Sequence, residues 1–447
     1  MDHITLGVII GAIALGVMLT GLPIAFSLGL VSLGIIYFLL GPLQFEMVGE
    51  TLFNALGGFE LLSIPLFVFM GAIFAQSKAS SDLFDAATKW LHKLPGGLAI
   101  SSVVASAIFA ALCGSSPATA AAIGNSAIPE MRKRGYPNHI STGAIVAGGT
   151  LGILIPPSVT MILYGIAVEQ SIGRLFMAGI IPGIMLTIMF SIWIIIAVWL
   201  DRKGFEAEAA AAQSDSGPMA LEFTWGERMR ALWSVWPFVV LIIGILASLY
   251  MGIATPSEAA AVGAVFALIL VSIVYRNMNW KNLKKILLSA TNESTMILMI
   301  MAMALLFSYA MSYLYIPQKI AEAIIALDVS QWIVMIIINI FLLILGFFIP
   351  PAAIIVMIAP IIYPIIVGLG WDPIWFGVIM TLNMEAGLIT PPVGLNLYVV
   401  KGIAPEIPLT EILRGSIPYI AILVLGIVLL CVFPQLALWL PNKLFGV

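Results

Sequence analysis

Residues 152–157 read GILIPP and residues 387–392 read GLITPP, the same G-x-x-x-P-P pattern in two long apolar segments about half the chain apart. A proline pair removes two backbone donors and disfavours helix in the residue before it. Each segment is therefore expected as two half-helices joined by unwound backbone. Such backbone survives at bilayer depth only where it is buried in protein or lines a cavity. Its free carbonyls suit a cation, and the free N–H groups of the following half-helix suit an anion. Paired breaks in corresponding halves point to the binding site of a secondary transporter.

The elements that must position these breaks are membrane helices. Of the 447 residues, 62% are hydrophobic and 9% are charged, which excludes an ordinary soluble protein. Apolar runs long enough to span lie near 4–20, 22–40, 60–77, 176–200, 233–252, 256–275, 288–313 and 415–438. No Lys or Arg precedes the first run, and it passes through Gly21-Leu22-Pro23 into a second, so it is not read as a cleaved signal peptide. Cys113 and Cys431 stand apart in apolar sequence and read as small core hydrophobes. A net charge of −3 gives no basis for nucleic-acid binding.

The cations set a topology. With the N-terminus outside, both breaks in single crossings and two further apolar pairs as hairpins, only Arg174, Lys319 and Lys443 of the 19 cations fall outside. The loop from Gly41 to Glu60 carries only acids and falls outside with them. Segments 97–130 and 331–366 then become re-entrant hairpins opening to opposite sides, with prolines at their tips. Each is followed by a Gly-aromatic turn (Gly135-Tyr136, Gly370-Trp371) and by a broken helix, at 140–168 and 374–403. The expected fold is all-α and polytopic, with inverted structural repeats. Scaffold helices occupy 1–60 and 176–288, the two repeat halves occupy 61–175 and 289–404, and a terminal helix occupies 405–447. Residues 201–232 read as a solvated cytoplasmic linker and Trp280 to Leu288 as a helix lying at the interface.

The stretches SIPLFVFMGAIF (63–74), GSSPATAAAIG (114–124), GTLGILIPPSVTMILYGIA (149–167), ATPSEAAAVG (254–263) and NMEAGLITPPVGLNLYVVKGIA (383–404) carry a resemblance nearly end to end. Together they resemble the large membrane (M) subunit, DctM-like, of the tripartite ATP-independent periplasmic (TRAP) transporters. The resemblance implies a sodium-driven elevator importer of small organic acids such as a C4-dicarboxylate, sialic acid or sugar acid, in the bacterial inner membrane. It also implies two partners, a periplasmic substrate-binding protein and a small four-helix membrane subunit. The chain ends at Val447 with no added four-helix region, so it resembles the version whose small subunit is a separate polypeptide. Na+ would be the coupling ion, with no cofactor and no enzymatic activity.

On that reading one sodium ion is expected between the first hairpin tip, Ser115 and Ser116, and the first break at Thr150, Gly152 and Pro156. A second is expected between Ile349 and Pro350 at the other tip and Met384, Gly387 and Thr390. Four half-helix N-termini near Pro117, Ser158, Ala352 and Val393 would converge on an anion. The candidate solute contacts are Ser116, Ser158, Pro351, Pro392 and Asn396. Asn396 reads equally as a helix–helix hydrogen bond. Glu385, a carboxylate at bilayer depth, is read as accepting hydrogen bonds from unwound backbone around Gly387, in preference to carrying a proton. Glu258 and Glu293 are read as span-end residues open to solvent or capping.

Three other classes compete. An intramembrane protease would need a base beside the Ser115-Ser116 pair, but His3, His92 and His139 all fall in terminal or loop sequence. A channel has no need to cover a site from both sides. A stand-alone cation/carboxylate symporter of related architecture, working without a binding protein, is the alternative closest to the main reading.

Overall fold

The computed structural model describes residues 2–200, 223–275, 279–327 and 329–446. Residues 201–222 of the expected linker lie outside the described residues, as do Arg202, Lys203 and Arg276 of the cation count, and its last part is helix where solvated linker is expected, because Thr224 caps a helix that starts at Trp225. Among the described residues every regular element is helical.

The element order runs twice. The first pass comprises α1 (His3–Leu19), α2 (Ile24–Ile35), α3 (Glu46–Gly57), α4 (Ser63–Ala75) and α5 (Ala79–Leu91). A hairpin of α6 (Gly97–Cys113) and α7 (Ser116–Lys133) follows, then α8 (Asn138–Thr150) and α9 (Val159–Ala167) as the halves of a broken helix, then α10 (Ile172–Leu200). The second pass comprises α11 (Trp225–Tyr250), α12 (Pro256–Val274), α13 (Trp280–Tyr313) and α14 (Ile316–Ala326). Its hairpin is α15 (Gln331–Gly346) and α16 (Pro351–Gly368), its broken helix α17 (Pro373–Leu388) and α18 (Leu395–Ile403), and its closing helix α19 (Leu409–Val432). A last helix, α20 (Gln435–Phe445), has no counterpart in the first pass, and α3 has no separate counterpart in the second.

Packing between the passes is reciprocal. Helix α2 packs on α13 while α12 packs on α4, and α1 packs on α14 while α11 packs on α5. Likewise α8 packs on α19 and α17 on α10, and α9 on α16 and α18 on α7. Each contact exchanges the same two elements between halves, as an approximate two-fold relation requires. The turn glycines Gly135 and Gly370 both have positive φ, and both Pro-Pro bonds, 156–157 and 391–392, are cis.

Several expectations change. Among the described residues six helices are long and apolar enough to cross a membrane, or seven if the bent pair Pro42–Gly57 and Phe59–Ala75 is one span. The segment after Gly41 is helical where a loop was expected: α3 has no buried residue and alternates Glu46 and Glu50 with apolar positions. Trp280–Tyr313 is one continuous helix of 34 residues, because no Gly or Pro separates the lysine-rich start from the apolar run. The single terminal helix is interrupted at Phe433, which precedes Pro434 and leaves the helical region. Helix α10 packs most closely on α20, and also on α19 and on α6, α8, α9 and α17.

Candidate functional site

The first hairpin turns in very few residues. Helix α6 stops at Cys113 because Gly114 takes a left-handed conformation (φ 63°), and Ser115 is extended before α7 starts with Ser116-Pro117 in its first turn. Pro350 is likewise extended before Pro351 opens α16. Both tips touch a broken helix. A Cβ on Gly114 would stand 2.9 Å from the Pro157 carbonyl oxygen, and one on Gly152 would stand 2.6 Å from that of Ser115. In the second half, a Cβ on Gly387 would stand 2.6 Å from the Gly346 carbonyl oxygen, and the Val393 N–H donates to the Phe347 carbonyl at 3.3 Å.

Both prolines act as expected. After Thr150 the first broken helix tightens into a 3-10 turn (Leu151–Ile153) and does not resume until Val159. Ser158 caps the new start, accepting from the Met161 N–H at 3.3 Å and donating to the Ile153 carbonyl at 2.5 Å. The second break leaves residues 389–394 outside helix, with Gly394 left-handed (φ 47°) before α18.

A cavity of about 200 Å³ lies where these pieces meet. Its wall includes Gly114, Ser115, Ser116 and Pro117 of the first tip, and Pro350, Pro351 and Ala352 of the second. Ile153 and Val159 flank the first break and Leu388 and Leu395 the second. Residues of α4 and α13 close the remaining side. Both hairpins and both breaks therefore share one space.

Not every candidate residue reaches it. Ser115, Ser116, Pro350 and Pro351 line the cavity, whereas Ser158, Pro392 and Asn396 do not. The Ser158 hydroxyl is consumed by its capping bonds. Asn396 is fully buried and donates its amide to the Ser116 hydroxyl at 2.8 Å and to the Val146 carbonyl at 3.4 Å, the helix–helix alternative. Thr150 and Thr390 donate back to the carbonyls of Ala147 and Ala386, both at 2.6 Å, leaving their oxygens as acceptors. Pro156, Ile349 and Met384 are buried. The second tip meets its break at Gly346 and Phe347, one turn before the expected Ile349 and Pro350.

Glu385 differs most. It is fully buried, and neither carboxylate oxygen has a hydrogen-bond partner among the described residues. Helix α17 runs unbroken through Leu388, and the N–H groups of Ile389 and Thr390 already donate to Ala386 and Gly387, both at 3.3 Å. The unwound N–H groups expected to hold the carboxylate are thus not at Gly387.

Sequence reasoning also missed two features. Glu293, read as a span-end residue, lines the cavity from α13 together with Ser289. Near Ser116, the buried Thr119 Oγ1 and the Asn396 Oδ1 lack partners among the described residues. A run of apolar residues does not reveal which side of a helix faces a cavity, so neither could be assigned from the string alone.

The family profile of the "Tripartite ATP-independent periplasmic transporter, DctM component" matches residues 11–436. The chain is 39% identical over 419 residues to the C4-dicarboxylate TRAP transporter large permease protein DctM of Pseudomonas aeruginosa, covering 94% of each. It is 36% identical over 450 residues to the protein of that name from Rhodobacter capsulatus, covering 98% of this chain and 99% of the relative. Among solved structures, that of the Alcanivorax borkumensis YdaH transporter matches with a TM-score of 0.62 at 15% identity, covering 91% of this chain and 90% of that one. At that identity the likeness concerns the fold.

Proposed function

This chain belongs to the family of DctM components of tripartite ATP-independent periplasmic transporters, and on that footing we propose that it imports a small organic acid by sodium-coupled alternating access. The observation that carries this reading is the cavity on which both hairpin tips and both helix breaks converge. One sodium ion would sit at the first tip and break, among Ser115, Ser116, Thr150, Gly152 and Pro156. The unpartnered oxygens of Thr119 and Asn396 beside Ser116 support a cation there. The other would sit among the second tip, Met384, Gly387 and Thr390. The N-termini of α7 and α16, which open on the cavity, would supply donors and positive dipole ends to a carboxylate. Co-bound cations offset its charge, which links ion and solute binding.

The two relatives named above carry C4-dicarboxylates in their names, so such a diacid is the first solute to test; a sialic acid or sugar acid is the next. The reciprocal contacts α2 with α13 and α4 with α12 would be the surfaces along which the tip-and-break layer moves past the scaffold, as in an elevator. The assembly would include a small four-helix membrane subunit and a periplasmic binding protein that delivers the solute. The chain would lie in the bacterial inner membrane with its N-terminus periplasmic.

The test is uptake into liposomes holding the chain with its small subunit. Accumulation should require an inward Na+ gradient and the matching binding protein. Equal uptake driven by a proton gradient alone would overturn the coupling, and uptake of free solute without the binding protein would favour the stand-alone symporter.

A further inference from the structure

At the end of the molecule that carries the Arg132–Glu406 ion pair, α8, α10 and α19 leave an open cavity of about 370 Å³. Its floor is a backbone crossing. A Cβ on Gly143 would stand 2.5 Å from the Gly415 carbonyl oxygen, and one on Gly415 would collide with the His139 carbonyl. Only glycine lets two helices approach so closely. That approach sets Arg414 at the rim beside His139, with Trp193 and Leu200 of α10 and Tyr419 of α19 completing the wall.

Two polar side chains here are uncommitted, and one backbone carbonyl has lost its helical donor. The exposed Arg414 guanidinium makes no hydrogen bond or ion pair among the described residues, and neither does the Trp193 indole N–H. Pro418 has no N–H, so the carbonyl of Arg414 lacks its helical donor. The lining residues thus carry one cation, one neutral donor and one backbone acceptor among aromatic and aliphatic side chains. The cavity lies where α10 ends and α19 begins, the end of both apolar helices that the positive-inside rule assigns to the cytoplasmic face.

We infer that this cavity holds the headgroup of an anionic glycerophospholipid carrying a free hydroxyl. Arg414 and the Trp193 N–H take the phosphate, and the freed carbonyl accepts the headgroup hydroxyl. The glycerol and the first acyl methylenes lie against Trp193, Leu200 and Tyr419. Basic pockets between membrane helices bind anionic headgroups in this way, and one Lys or Arg near the membrane surface changes affinity about five-fold. Soluble phosphate would leave the apolar wall uncovered, which commits the site to a lipid.

The test is native mass spectrometry of the full chain released from micelles containing phosphatidylglycerol, phosphatidylcholine or inorganic phosphate. The parent should retain phosphatidylglycerol selectively, and Arg414→Gln should weaken retention about five-fold, whereas Lys443→Gln, which removes a cation outside this cavity, should not. Equal retention by parent and Arg414→Gln, equal retention of phosphatidylcholine, or displacement of the lipid by inorganic phosphate would each overturn the assignment. Should Arg414→Gln fail to fold, bromine-labelled phosphatidylglycerol provides the second reading. It should quench the parent's tryptophan emission more than that of Trp193→Phe, and equal quenching overturns the assignment.

Discussion

The Asn396 side-chain amide donates to the Ser116 hydroxyl across 2.8 Å, although 280 residues separate them in sequence. One residue opens the second half of the second broken helix and the other begins the helix after the first hairpin tip. Both are fully buried. The bond fastens the two repeats to each other beside the proposed first sodium position, and the reciprocal contact of α9 with α16 joins the same elements on the other side of the relation.

Removing this bond should weaken the join without unfolding the chain. Asn396→Ala is expected to cost about 1–3 kcal/mol, the range for leaving a buried polar partner unsatisfied, and thermal melting of the purified protein measures it. Asn396→Asp should restore part of the loss only in the presence of Na+, since a carboxylate there gains from a neighbouring cation.

The hairpins and breaks were legible because their causes are local. Gly114, Pro117, Pro156-Pro157, Pro350-Pro351 and Pro391-Pro392 dictate backbone within one turn, and the helix ends lie within a few residues of the expected positions. What sequence withheld depended on facing. Helices that are apolar on every side give no periodic signal, so the sequence neither places Glu293 on the cavity nor decides between the two roles of Asn396. Glu385 lacks the donors expected around Gly387 because the N–H groups of Ile389 and Thr390, where the unwinding begins, already bond Ala386 and Gly387.

Gly152 is the tightest test of the contact between tip and break. Its missing Cβ would lie 2.6–2.9 Å from backbone atoms of Ser115 and Ser116, which have no rotamer to yield. Gly152→Ala should cost about 1–3 kcal/mol by overpacking and abolish uptake. Gly402→Ala meets nothing within 4 Å and should leave melting and uptake intact.

Glu385→Gln probes a carboxylate with no protein donor. No hydrogen bond is lost in the exchange, so melting should stay within about 1 kcal/mol of the parent. A loss of several kcal/mol would mean that the carboxylate holds a charged partner.

Tyr275, next after α12, donates its hydroxyl to Asp82 of α5 at 2.6 Å and so joins the two passes of the chain. Tyr275→Phe should cost about 0.5–1.5 kcal/mol of the arrangement seen here. Cross-linking between cysteines placed on α5 and α12 should form more slowly in that variant if these two helices separate during transport.

The sodium concentration giving half-maximal solute uptake tests the central claim most directly, compared between the parent and the variants Ser116→Ala and Thr390→Ala. Loss of one oxygen ligand from either cage should raise it about ten-fold, equivalent to about 1.4 kcal/mol, while in Thr390→Ala solute affinity at saturating Na+ stays near the parent value. An unchanged sodium dependence in both variants would contradict the assignment of cations to the paired tips and breaks.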